Sequence, residues 1–102
     1  MIETKAFAFS DFSPLVGSSF HVNSDSSRSL PLELVEAAKL GKNSLGQNSK
    51  TEAFSLLFKG PNDSVLPQKI YSLIHSQLGE LNIFLVPVGQ DAEGIRYEAV
   101  FN

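Results

Sequence analysis

Apolar residues recur at every second position through most of this chain, in short runs separated by turn residues. Ser19-Phe20-His21-Val22-Asn23 alternates, with Phe20 and Val22 on one face and His21 on the other. Leu30 to Leu40 places Leu30, Leu32, Leu34, Ala38 and Leu40 on one face, opposite Glu33 and Lys39. Ala53 to Lys59 aligns Phe54, Leu56 and Phe58, and Ile70 to His75 aligns Tyr71, Leu73 and His75. Leu81 to Val88 follows. Ile95 to Phe101 then turns Ile95, Tyr97, Ala99 and Phe101 inward, with Arg96 and Glu98 outward. Between these runs lie polar loops at Ser24–Ser29 and Gly41–Thr51, and turns at Gly60-Pro61-Asn62-Asp63, Ser76–Glu80 and Gly89–Gly94. Ahead of the first strand, Ser10 is placed to cap a short helical turn through Asp11, Phe12, Leu15 and Val16. Pro14 keeps that turn short and Gly17 ends it, so its apolar residues would plug one end of the fold.

About six closely spaced strands without a long helix predict an all-β class, a small antiparallel barrel or sandwich forming a single domain over 1–102. Two strands are apolar on both faces, Leu56-Leu57-Phe58 and Ile83 to Val88. Either loops and the N-terminal segment cover the second face, or it meets another subunit. Leu57, Phe84 and Val86 are the candidate interface residues.

Composition narrows the partners. The 102 residues are 42% hydrophobic and 19% charged, which is ordinary for a globular domain, and eight are phenylalanine. A net charge of −3, with the basic residues spread along the chain, argues against a nucleic-acid partner. The absence of cysteine removes disulfides, thiolate metal sites and thiol nucleophiles, and fits a reducing compartment. The start Met1-Ile2-Glu3-Thr4-Lys5 is mixed in charge, and no run approaches the roughly 20 apolar residues of a membrane helix. The expectation is a cytoplasmic protein without a membrane or cofactor.

The candidate chemistry is thin. His21 and His75 are the only histidines and have no ligand partners at a familiar metal-site spacing. His21 falls on a solvated face, and His75 lies at a strand end, where it can cap the Gly79 turn. No Gly-x-Ser-x-Gly elbow is present, and Ser18 and Ser19 read as the approach to a strand. Gly41 and Gly46 have the outer spacing of a phosphate loop but are followed by Gln47 and Asn48, without its lysine. Glu36 falls on an apolar face under strict alternation. A bulge near Ala37-Ala38 could turn it outward, Lys69 or Arg96 could pair with it, or it could be a functional acid.

Several ordered blocks carry a resemblance. They are Phe12-Ser-Pro-Leu-Val-Gly17 with Phe20, Leu32-Glu-Leu-Val-Glu-Ala37, Phe54-Ser-Leu-Leu-Phe-Lys-Gly-Pro61 with Leu66-Pro-Gln68 and Tyr71, then His75, Leu78-Gly79, Phe84-Leu-Val-Pro-Val88 and Arg96-Tyr-Glu-Ala-Val-Phe-Asn102. Together they resemble a small bacterial all-β domain family of unknown function, across essentially the whole chain. The resemblance implies genes near those of phage-tail-collar-like proteins, and so a role in a phage-tail-like assembly. It implies no activity, cofactor or catalytic residue. The polar members of the blocks, His75, Arg96 and Glu98, join Glu36 as candidate site residues. The leading expectation is a non-enzymatic structural or interaction module that meets a protein partner or its own copies. A small-molecule-binding barrel, with Tyr71, Tyr97 and His75 at its mouth, stands second. An enzyme of hydrolase type pairing His75 with Glu36 or Glu98 stands third.

Overall fold

Side chains that alternate on every strand bury one face when the sheet folds back on itself or packs against a second layer. The computed structural model describes residues 7–23, 29–39, 53–62 and 65–101, and in it the sheet closes. The strands are β1 (Ser19–Asn23), β2 (Ser29–Lys39), β3 (Phe54–Gly60), β4 (Lys69–His75), β5 (Gly79–Asp91) and β6 (Gly94–Phe101). They run in the spatial order β1-β2-β3-β6-β5-β4, and β4 returns to β1. All six pairings are antiparallel. The closing seam is short, with His21 opposite Ile74 and Val22 opposite Leu73. The barrel, rather than the sandwich, is thus the observed form of the all-β class, and each strand has a neighbour on both sides. Of the loop expected at Ser24–Ser29, Ser29 instead opens β2, and residues 24–28, the expected loop at 41–51 and the strand end at Leu40 lie outside the described residues.

The inward faces are those the alternation marks. Phe20, Leu32, Leu34, Leu56, Phe58, Leu73, Leu85 and Tyr97 are fully enclosed. At one end, α1 (Phe9–Phe12) runs into a 3-10 turn at Ser13–Leu15 and inserts Phe12 against Phe54 and Phe101, at ring-centroid separations of 5.9 and 5.6 Å. Phe54 and Phe101 themselves stack 4.7 Å apart. Phe12 has no exposed surface, so this segment is the expected plug.

Three details differ from the alternation. The helix starts at Phe9, with Ala8 rather than Ser10 at the N-cap. The Asp11 carboxylate accepts the Ala8 N–H at 2.8 Å and the Asp11 N–H donates to the Ala8 carbonyl at 2.9 Å, so the end is satisfied without a capping hydroxyl. In β2 the register shifts between Leu34, opposite Phe58, and Glu36, opposite Leu57. This bulge at Val35, slightly earlier than the sequence placed it, turns Glu36 out to solvent and brings Ala37 against the core. The Leu34 amide and carbonyl are taken up by the turn that follows the plug: Gly17 donates to Leu34 at 2.7 Å, and Leu34 donates to Ser18 at 3.0 Å. Finally, β5 extends to Asp91 through a second bulge at Val88. Its hairpin to β6 closes on Gly94, where a Cβ would lie 2.3 Å from the Gly60 carbonyl oxygen.

Candidate functional site

The outer surface, not the interior, gathers most of the residues singled out by the sequence. Across four strands the register sets Glu36 of β2 opposite Leu57 of β3, Leu57 opposite Glu98 of β6, and Glu98 opposite Val86 of β5. Next along β5, Phe84 stands opposite Ile70 of β4. Ile70 is 64% exposed and Phe84 47%. Such a cross-strand pair would be core on an inward face; here it faces water beside half-buried Val86. Val100 of β6 and Val88 are likewise exposed. Phe84, Val86 and Leu57 therefore share the sheet's outer side, but Glu98 of β6 stands between Val86 and Leu57: the continuous apolar stretch is Ile70, Phe84 and Val86, and Leu57 lies beyond it between Glu98 and Glu36. Ile70 is the residue that sequence reasoning missed. The signal was present, because Ile70 and Ile74 occupy the face opposite Tyr71, Leu73 and His75, which makes β4 a third strand apolar on both sides.

His75 belongs to the interior. It is 3% exposed, packed 4.4 Å from the Phe20 ring. Its Nδ1 accepts the Gln77 N–H at 3.0 Å, which caps the β4–β5 turn. Its Nε2 lies 3.0 Å from the Ser18 Oγ. Burial lowers the imidazole pKa below its ordinary 6.5. Ser18 was missed as a partner because 57 residues separate it from His75 and no local pattern links them. The Ser18 hydroxyl donates to the Leu15 carbonyl at 2.6 Å. That is the reverse of the direction a serine nucleophile needs, in which the hydroxyl gives its proton to the imidazole. Glu36 and Glu98 stand on the outer side of the wall and do not converge with His75.

Arg96 serves the β5–β6 hairpin. Its guanidinium pairs with Asp91 and reaches Glu93 at 3.9 Å, and Lys59 lies 3.8 Å from Glu93. The Glu93 N–H, then the Arg96 side chain, hold the Asp91 carboxyl below its ordinary value. Asn62 ties the same hairpin to the β3 turn by donating to the Asp91 carbonyl at 3.0 Å and accepting from the Gln90 side chain at 2.9 Å. A shallow groove of about 330 Å³ runs beside it, lined by Ser19, Pro31, Glu33, Lys59, Gly60, Pro61 and Glu93.

The tyrosines are tied to the segment ahead of β4. The Leu66 N–H donates to the Tyr97 hydroxyl at 2.9 Å, and the Tyr71 hydroxyl donates to the Pro67 carbonyl. Burial, then the Tyr97 hydroxyl, raise the Tyr71 pKa. Among the described residues, no three His, Asp or Glu side chains come together as metal ligands. No described helix is long and apolar enough to cross a membrane.

The four polar candidates thus separate: His75 sits inside one end, Arg96 at the opposite hairpin, and Glu36 and Glu98 on the outer side, on either side of Leu57. No curated protein and no solved structure matches the chain. A family model does, over residues 7–101, and the chain belongs to that family, a domain of unknown function (DUF6916).

Proposed function

We propose that this domain is a non-enzymatic interaction module, and that the outer face of β4, β5, β6 and β3 binds a second copy of the chain. The observation that carries the reading is the solvent-facing Ile70–Phe84 pair, continued along β5 by Val86, with Leu57 on the same side beyond Glu98. Every strand already has a neighbour on each side, which favours association through a face over strand addition. An apolar face is also compatible with itself across a two-fold axis, where the same residues meet from both sides. The module's setting is a phage-tail-like assembly, a reading supported by the resemblance of its sequence blocks.

Light scattering on the purified protein over a concentration series tests the association. The wild type populates dimers or larger species, and Phe84→Glu shifts it to monomer. A wild type that stays monomeric at high concentration would count against a self-binding face. Co-sedimentation of the chain with tail-like particles from its host tests the setting, and a chain found only outside such particles contradicts it.

A further inference from the structure

His75 connects two parts of the molecule that the strand ladder leaves apart. Gln77 lies in the β4–β5 turn, and Leu15 closes the N-terminal plug. A hydroxyl has one proton to give. Since Ser18 gives its own to the Leu15 carbonyl, its oxygen can only accept from His75. The directions agree along the whole chain: Gln77 N–H to Nδ1, Nε2–H to Ser18 Oγ, Ser18 O–H to the Leu15 carbonyl. The arrangement requires a neutral ring carrying its proton on Nε2.

We propose that His75 is an acid-released latch, holding the N-terminal plug to the β4–β5 turn while neutral and letting the turn go when Nδ1 takes a proton. Protonation sets an N–H against the Gln77 N–H, so that bond is lost, while Nε2–H goes on donating to Ser18 Oγ. It also places a charge where the neighbours are uncharged: Ser18 ahead of β1, Phe20 on β1 and Gln77 in the turn. The titratable groups on the packed elements face elsewhere. Asp11 of α1 is exposed and bound to the Ala8 amide. Glu80 of β5 is exposed and accepts the Ser72 hydroxyl, and His21 of β1 is exposed on the outer side.

Amide hydrogen exchange at about pH 7.5 and about pH 5, corrected for intrinsic rates, tests the latch. The Gln77 amide should lose at least about tenfold more protection on acidification in wild type and His21→Gln than in His75→Gln, while the β3–β6 ladder is unchanged. Ring ¹⁵N shifts of the wild type should show the Nε2–H tautomer at neutral pH. An Nδ1–H tautomer, or an acid response equally large in His75→Gln, overturns the proposal. Should His75→Gln fail to fold, Ser18→Ala carries the test, because it removes the Nε2 acceptor and leaves Nδ1 to titrate. Its plug amides should already exchange faster at about pH 7.5 while Gln77 keeps its acid response; unchanged plug protection overturns the latch.

Discussion

Two residues show how single positions are fixed by their surroundings. Gly94 has φ +152, and any Cβ there meets the Gly60 carbonyl oxygen at 2.3 Å, a backbone atom that cannot swing away. Gly94→Ala is therefore expected to cost about 2–4 kcal/mol, read as a lower urea midpoint at unchanged slope. His75 gives a pH signature. Its folded-state pKa lies below 6.5 because burial disfavours the imidazolium. The unfolded chain takes up the proton first as pH falls. The contribution is thus fully present above about pH 6.5 and declines as pH drops toward the folded-state value, where it levels off. Denaturant unfolding across that window should show the decline in wild type and a flatter profile in His75→Gln. The sequence placed His75 at its turn through Gly79 and the inward alternation of β4. It could not place Ser18, whose approach depends on how the barrel brings the start of β1 beside the end of β4.

Elements divide by how local their causes are. Strands whose two faces differ were legible from alternation alone, as in β6, where Ile95, Tyr97 and Ala99 are buried and Arg96 and Glu98 are not. The bulge at Val35 was legible only as a conflict. Glu36 stood on an apolar face, and a buried lone carboxylate costs enough that the chain inserts a residue instead. Its position depends on Leu34 meeting Gly17 and Ser18, contacts that no sequence window contains. The plug was legible as a function, although its helix begins with Asp11 reaching back to Ala8 rather than with Ser10. Phe12→Ala should destabilise the fold by about 3–5 kcal/mol, since it empties a fully buried aromatic site among Phe7, Phe54 and Phe101. Tyr97→Phe should cost about 1–3 kcal/mol by removing the hydroxyl that accepts the Leu66 amide. Equilibrium unfolding measures both.

At the scale of the molecule, a six-stranded barrel has one interior, and its inward apolar residues are buried there. Apolar side chains beyond that number must lie outside. Phe84, Val86 and Leu57 could be read from the sequence as surplus because their strands are apolar on both faces. What the sequence could not supply is that Ile70 joins them, since the pairing of Ile70 with Phe84 is set by the β4–β5 register. An exposed position bears little of the folding free energy, so Phe84→Glu should change stability by no more than about 0.5 kcal/mol. That makes it a clean probe of association. The most direct test is the solution mass of wild type and Phe84→Glu by light scattering at matched high concentrations. The outer-face account predicts a multiple of the single-chain mass for wild type and the single-chain mass for Phe84→Glu. A wild type holding the single-chain mass throughout, or an oligomer unaffected by Phe84→Glu, would contradict it.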